Sequence, residues 1–364
     1  MRSRNAAAVK EDVPSVSTVS CCCFGLSKLV PSRNKPFCIN WFEVVEPLAH
    51  LVAEASRPPH DRGHVLWSAE NGPTRMLLAS FDRWVGALLA DDGIDMPFMG
   101  GSNDVEATII ARSDGIVVGT AAIDHMLQIW APSLKITWWA GDGKRVTKGH
   151  EIATIQGDRE VLLAMERSIL NVLGQLSGIA TEAKRWSAIA PGQIACTRKT
   201  VWGLMDKWAV HLGGGLTHRL NKFDATMIKE NDLASMLDDI DGHANRIAHY
   251  LQEVDLETCG AFLEIEVREN KEAIIAAALW AKRREEGAKK LVIMLDNFGP
   301  ERCKEVAQEL TEMSLREHVI LEASGGIQFE DLDQWHECGL DVLSTSAINR
   351  GTSPLDISML MTGA

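Results

Sequence analysis

From Gln193 onward, short apolar runs alternate with longer amphipathic ones along the chain. The runs Gln193–Cys196, Ala225–Ile228, Phe262–Val267, Leu291–Leu295, Val319–Ala323 and Asp341–Ser344 predict strands buried on both faces. The stretches Leu233–Gln252, Lys271–Glu286, Pro300–Met313 and Phe329–Cys338 between them carry helical spacing. Strand alternating with helix requires right-handed crossovers and a parallel sheet. The polar residues that follow each run separate an open sheet from a barrel. Arg198 and Lys199 follow the first strand and Lys229 the second, while Glu266 and Asp296 end the third and fourth. Ser324-Gly325-Gly326 ends the fifth and Ser344-Thr345-Ser346 the sixth. A barrel gathers all these ends around one mouth, whereas an open sheet leaves some far from its switch point. The expectation is a parallel α/β barrel.

Upstream the pattern is mixed. Helix-compatible stretches at Trp41–Ala55 and Met76–Ala90 precede strand-like pieces at Ala107–Arg112, Gly115–Val118, Lys135–Trp139 and Glu151–Ile155. Gly141-Asp142-Gly143 and Lys148-Gly149 mark turns among them. This predicts a small α+β domain, followed by a long amphipathic helix, or two, over Arg159–Ala188. Residues 1–40 are Ser-rich and basic without a sustained period. A transit peptide, a disordered tail and an upstream translation artefact all stay open there. The compartment is accordingly cytoplasmic, or plastid or mitochondrial if the segment is a targeting one.

Composition narrows the chemistry. The formal net charge of -13 argues against broad nucleic-acid binding. No apolar run approaches the roughly 20 residues of a membrane helix, so a membrane protein is not expected. The eight cysteines form no CxxC pair, so neither a structural zinc site nor a disulfide framework is signalled. Against that acidic background, Cys196–Asp232 concentrates Arg198, Lys199, Lys207, His218, Arg219, Lys222 and Lys229. Cations at strand ends, beside the flexible triplet Gly213-Gly214-Gly215, suit a small and highly charged anion. Ser324-Gly325-Gly326 before a helix offers backbone N–H groups for phosphate. Glu266 and Asp296 are candidate ligands for Mg²⁺ riding on substrate phosphates. Glu264 alternates onto the same strand face as Glu266, so the functional carboxylate of that strand stays open. A dicarboxylate plus a polyphosphate would satisfy so many cations.

Several blocks carry a resemblance. They are Met165-Glu166-Arg167 with Leu170-Asn171, Ser177–Thr181 (SGIAT), Thr197–Thr200 (TRKT), Gly213–Leu220 (GGGLTHRL) and Ile228–Asn231 (IKEN). Glu264–Val267 (EIEV), Ile293–Asn297 (IMLDN), Glu322–Ile327 (EASGGI), Asp341–Ala347 and Leu355–Ser358 follow in order. In these blocks the chain resembles the quinolinate phosphoribosyltransferases, the decarboxylating nicotinate-nucleotide pyrophosphorylases of NAD biosynthesis. The resemblance implies an incomplete parallel α/β barrel (166–349) packed with a small N-terminal α+β open-sandwich domain (41–165), completed by residues 350–364. It implies transfer of phosphoribosyl from phosphoribosyl pyrophosphate to quinolinate, releasing pyrophosphate and CO₂. It also implies catalytic roles for Lys199, Glu266 and Asp296, with Mg²⁺ held by Glu266 and Asp296. Substrate binding would fall to Arg167, Arg198, Lys199, His218, Arg219, Lys229, Ser324, Gly325, Gly326, Ser344 and Ser346. Arg167 matches an arginine supplied to the partner subunit's site, which implies a homodimer and leaves a hexamer of such dimers open. Departures fall at Cys196, Trp202, Met205, Asp232, Ser346 and Arg350. A related transferase acting on another nitrogen base, or a non-catalytic assembly subunit, stays as the alternative.

Overall fold

The computed structural model describes residues 57–362 apart from 102. The extension expected over 1–40 and the helix expected at Trp41–Ala55 lie outside the described residues. A hairpin of β1 (Trp67–Ser68) and β2 (Gly72–Pro73) leads into α1 (Arg75–Asp91). Next come β3 (Asp104–Ala111), β4 (Gly115–Ile116), α2 (Thr120–Trp130), β5 (Lys135–Trp138), β6 (Arg145–Val146) and β7 (Glu151–Asp158). The helix α3 (Arg159–Ile189) then runs unbroken. The side chain of Asp158 accepts the N–H groups of Glu160 and Val161 at its start, a cap worth about 1 kcal/mol. Its buried stripe includes Val161, Met165, Ile169, Val172 and Leu176, leaving Arg167 exposed.

The rest of the chain alternates as the apolar runs predict. The elements are β8 (Ile194–Cys196), α4 (Leu204–Leu212), β9 (Thr226–Ile228), α5 (Glu230–Met236), α6 (His243–Glu253), β10 (Leu263–Val267) and α7 (Asn270–Glu285). They continue as β11 (Leu291–Asp296), α8 (Pro300–Glu312), β12 (Val319–Ser324), α9 (Leu332–His336), β13 (Val342–Thr345) and β14 (Ile357–Thr362). Two expected helices are shorter than their patterns. Leu233–Gln252 is broken, because Gly242 takes φ +83° between α5 and α6. Phe329–Cys338 opens with a 3₁₀ turn at Phe329–Asp331 and then becomes the short α9.

Two main sheets result. One is antiparallel, in the order β14-β3-β7-β5, so the C-terminal strand returns to the N-terminal half of the chain. The other is parallel, in the order β8-β13-β12-β11-β10-β9. Leu216 adds a bridge on the free side of β8, with Cys196 N–H donating to Leu216 O and Leu216 N–H to Ile194 O. Side chains alternate along a strand, so steps of two residues trace the inward face in layers. The floor is the apolar cluster Ala195, Leu216, Ala225, Phe262, Val292, Ile320 and Val342. Two residues on lie His218, Glu264, Met294, Glu322 and Ser344, all buried. Two further on, at the mouth, come Lys199, Lys229, Glu266, Asp296, Ser324 and Ser346.

Among the described residues no ladder joins Leu216 to β9, so the barrel has an open seam. The segment after Arg57 crosses it. Arg62 N–H donates to Thr217 Oγ1 at 2.9 Å, and its guanidinium pairs with Asp224 at 3.0 Å. Thr217 Oγ1 in turn lies 3.2 Å from His60 O, so both lips of the seam are tied to one segment.

Candidate active site

A cavity of about 540 Å³ opens at the barrel mouth, lined by Thr197, Lys199, Asp296, Asn297, Ser324, Gly325, Gly326, Ser344, Ser346 and Arg350 among others. Lys199, Asp296, Ser324, Gly325, Gly326, Ser344 and Ser346 are therefore brought together as the strand ends predict. Gly325 and Gly326 adopt φ +102° and +68°. A Cβ at Gly325 would fall 2.3 Å from Asn297 Oδ1, so the turn requires glycine there. Asn297 also donates from Nδ2 to Asp296 Oδ2 at 2.8 Å, fixing that carboxylate.

The Lys199 loop is held from below by α4. Asp206 accepts the N–H groups of Val201 (2.8 Å) and Trp202 (3.1 Å). Buried Asn349 joins Asp206 Oδ2 to Lys199 O, at 3.0 Å each. Arg198 is exposed beside this loop. Arg219, 8% exposed, donates to Ala225 O at 3.2 Å and keeps a buried Nε with no protein partner. Burial, and then the charge of Arg198, push its pKa down. The lowering of Arg219 by a neighbouring cation is the electrostatic setting an anion would relieve.

Lys229 Nζ pairs with Oε2 of buried Glu266. Lys229 N–H donates to Asp232 Oδ2 at 2.9 Å, so the Asp232 departure serves as part of the cap of α5. Glu266 is thus committed to a lysine as it stands. Asp296 keeps its carboxylate at the cavity wall, and its hard oxygens suit Mg²⁺.

Arg198, Arg219, Lys229 and Glu266 are not among the residues lining this cavity, and two further expected site residues, Arg167 and His218, do not line it either. Arg167 is exposed on α3 and lines a separate cavity of about 410 Å³ with Trp202 and Asp356. His218 turns into the middle layer instead of the mouth, 3% exposed and at φ +53°. Its Nδ1 accepts Arg219 N–H at 2.7 Å and its Nε2 faces Glu322 Oε1 at 3.2 Å. His60 Nε2 lies 2.9 Å from the other oxygen of Glu322, and Ser344 Oγ also donates to this carboxylate. Burial raises Glu322, but the facing His218 and His60 outweigh it and hold the carboxyl below its ordinary range. Burial pushes His218 down to about 4, with Glu322 opposing. Glu264 is fully buried with no hydrogen-bond partner for either oxygen; burial and then the charge of Glu322 push its pKa well up.

His60, His218, Glu264 and Glu322 place candidate ligand atoms within 4.8 Å of one another, which invites a zinc reading. The bond from Arg219 N–H argues against it. That bond makes Nδ1 the acceptor, so neutral His218 carries its proton on Nε2, the atom that would have to face the ion. The cluster is instead a buried polar group around ionised Glu322, to which His218 and Ser344 hydrogen-bond, with His60 Nε2 beside its other oxygen and Glu264 unpartnered. The alternation of Glu322 with Ser324 signals its inward position; no sequence signal marks His60.

Comparison with known proteins agrees with this geometry. Models for the C-terminal and N-terminal domains of quinolinate phosphoribosyl transferase match residues 179–360 and 95–177. A probable nicotinate-nucleotide pyrophosphorylase [carboxylating] of Methanothermobacter thermautotrophicus is 34% identical over 266 residues, 71% of this chain and 89% of the relative. The chloroplastic nicotinate-nucleotide pyrophosphorylase of Arabidopsis thaliana is 33% identical, over 70% of this chain and 74% of its own. Among solved structures, the nicotinate-nucleotide pyrophosphorylase of Francisella tularensis superposes with TM-score 0.65 at 27% identity, covering 78% of this chain and 97% of that one. A curled parallel sheet with charged strand ends, matched over both halves by the family's two domain models, makes this chain a member of the quinolinate phosphoribosyltransferase family.

Proposed function

We propose that the chain transfers phosphoribosyl from phosphoribosyl pyrophosphate to quinolinate with decarboxylation, giving nicotinate mononucleotide, pyrophosphate and CO₂. The observation that carries this is the division of charge at one mouth. The cationic arms Arg198–Lys199 and Thr217–Arg219, of which Lys199 lines the cavity, form one side, and Asp296 with the Ser324–Gly326 turn the other. The first side suits a pyridine dicarboxylate and the second a phosphorylated sugar.

Arg198, Arg219 and Lys229 clamp the two carboxylates and aim the ring nitrogen at C1 of the ribose. Backbone N–H groups of Gly325 and Gly326, with Ser324 and Ser346, hold phosphate. Lys199 stabilises charge on the departing pyrophosphate, while Glu266 and Asp296 oppose the positive charge growing on the ribose. Asp296 would hold Mg²⁺, with Glu266 as the second carboxylate offered to it. The ion supplies charge neutralisation on the pyrophosphate oxygens. Once the ring nitrogen is quaternised, the bond from the ring carbon to the adjacent carboxylate breaks and CO₂ departs. The electron pair stays on that carbon, stabilised by the neighbouring positive nitrogen, until a proton from solvent completes nicotinate mononucleotide. Ser344 reaches the cavity while bonded to Glu322, and His218 acts beneath the clamp by fixing the Arg219 backbone.

The exposure of Arg167 away from the mouth supports its use in a second subunit's site, and hence a homodimer. Among the described residues no helix is long and apolar enough to cross a membrane. The compartment is cytoplasmic unless residues 1–40 direct the chain to an organelle, which imaging of fluorescent fusions with and without them distinguishes. The two-carboxylate clamp is tested by calorimetry. Quinolinate should bind at least about tenfold more tightly than nicotinate, since one charge-assisted pair is worth about 1.5–3 kcal/mol. Equal affinities would count against it.

A further inference from the structure

Lys207 belongs to the cation-rich stretch yet does not line the mouth cavity. It sits on α4, 2% exposed. Its Nζ donates to Thr217 O at 2.6 Å, Thr197 O at 3.2 Å and Cys196 O at 3.3 Å. An ammonium has three N–H donors, so the group is fully used. The acceptors are not arbitrary. Cys196 and Thr197 directly precede Arg198-Lys199, and Thr217 directly precedes His218-Arg219.

The two arms of the clamp leave the barrel side by side. Up to Leu216 a backbone bridge holds them, with Cys196 N–H on Leu216 O at 2.9 Å. Past that bridge the ammonium of Lys207 supplies the connection between them. Its neighbour Asp206 holds the far end of the Lys199 loop, so one turn of α4 fixes both ends of that arm. Burying this ammonium is expensive. Burial pushes its pKa down, and the charges of Arg198 and Arg219 add to the effect. Three charge-assisted bonds offset that cost.

We propose that Lys207 is a positioning residue for the quinolinate clamp: by tying the carbonyls of Cys196, Thr197 and Thr217 together, it sets the spacing of Arg198 and Arg219. The proposal rests on the assigned reaction for its substrate, and on the hydrogen bonds alone for its geometry. Lys207 touches no substrate. It matters because a misplacement near 1 Å at a clamp costs on the order of 10²-fold in rate.

The test is Lys207→Met, which keeps length and removes all three donors, beside Lys207→Gln, which retains two. In Lys207→Met, KM for quinolinate should rise about tenfold or more, while KM for phosphoribosyl pyrophosphate moves less than about threefold. Lys207→Gln should recover part of the loss. Equal changes in both KM values would mark a general structural role and overturn the proposal, as would unchanged kinetics. Should both variants fail to fold, a crystal structure of the wild type with quinolinate decides. Nζ should still bond all three carbonyls, with Arg198 and Arg219 on the carboxylates. Nζ on the substrate, or carbonyls released, would contradict it. A wild type that does not turn over quinolinate counts against the assigned reaction; turnover with unchanged KM in Lys207→Met counts against Lys207.

Discussion

His218 presents Nε2 to Glu322 across 3.2 Å inside the barrel, and through Nδ1 it fixes the backbone of the next residue, Arg219. The backbone of Arg219 is thereby tied, through His218, to a fully buried carboxylate, Glu322 of β12. The φ of +53° at His218 is sustained by these two bonds together.

Acid should undo this arrangement. The folded state keeps His218 neutral, with its pKa pushed down to about 4 from 6.5, so the unfolded state binds a proton that the fold refuses. Stability from this group is present above pH 6.5 and lost as pH falls toward 4. Glu322, held below its ordinary 4.5, loses its contribution on further acidification. In urea titrations, Glu264→Gln, which lacks the opposing titration of that buried carboxyl, should weaken steadily below pH 6.5. Glu322→Gln should be destabilised at pH 7 by about 1–3 kcal/mol, the cost of an impaired buried hydrogen bond. A flat profile between pH 6.5 and 4 in Glu264→Gln would count against the neutral buried ring.

Glu264 should behave in the opposite sense. Its pKa is raised well above 4.5 by burial and then by Glu322. Stability associated with this carboxyl is present below pH 4.5 and lost as pH rises toward the folded value. Glu264→Gln removes the ionisable proton while keeping the shape. The variant should therefore gain stability over wild type as pH rises, by up to about 1.4 kcal/mol per pH unit. Chemical denaturation at pH 5 and pH 8 reads this directly. The same difference at both values would show that Glu264 does not titrate in this window.

The strands were legible because each is buried on both faces and reads as an unbroken apolar run; Leu291–Leu295 foretells β11 almost to the residue. The mouth was legible for the same reason, since alternation carries Glu266, Asp296 and Ser324 inward together. Long-range closure was not. Nothing local in Arg57–Arg62 says that His60 will meet Glu322, or that Arg62 will meet Asp224 across the seam. Nor does a GGGLTHRL block say which way His218 points. That depends on a left-handed backbone at one residue and on a carboxylate in β12. The breaks near Gly242 and Leu332 also escape periodicity, because the apolar pattern continues across them.

Arg167 provides a test of assembly. Its separation from the mouth leaves the Lys199 site without it in one chain. Arg167→Ala and Lys199→Ala should each be nearly inactive alone. Mixed and reassociated, half the dimers become heterodimers with one intact site of two, so activity should return to about a quarter of wild type. Recovery should grow with the time allowed for subunit exchange. No recovery, with exchange verified by native mass spectrometry, would place Arg167 in its own chain's site or outside any site.

The most direct measurement supplies the protein with phosphoribosyl pyrophosphate and Mg²⁺, together with quinolinate or nicotinate, and follows nucleotide and CO₂. A clamp built for two carboxylates beside a phosphorylated sugar predicts nicotinate mononucleotide and CO₂ from quinolinate in equal amounts, and no nucleotide from nicotinate. Turnover of nicotinate without quinolinate, or nucleotide formed without CO₂, would contradict it.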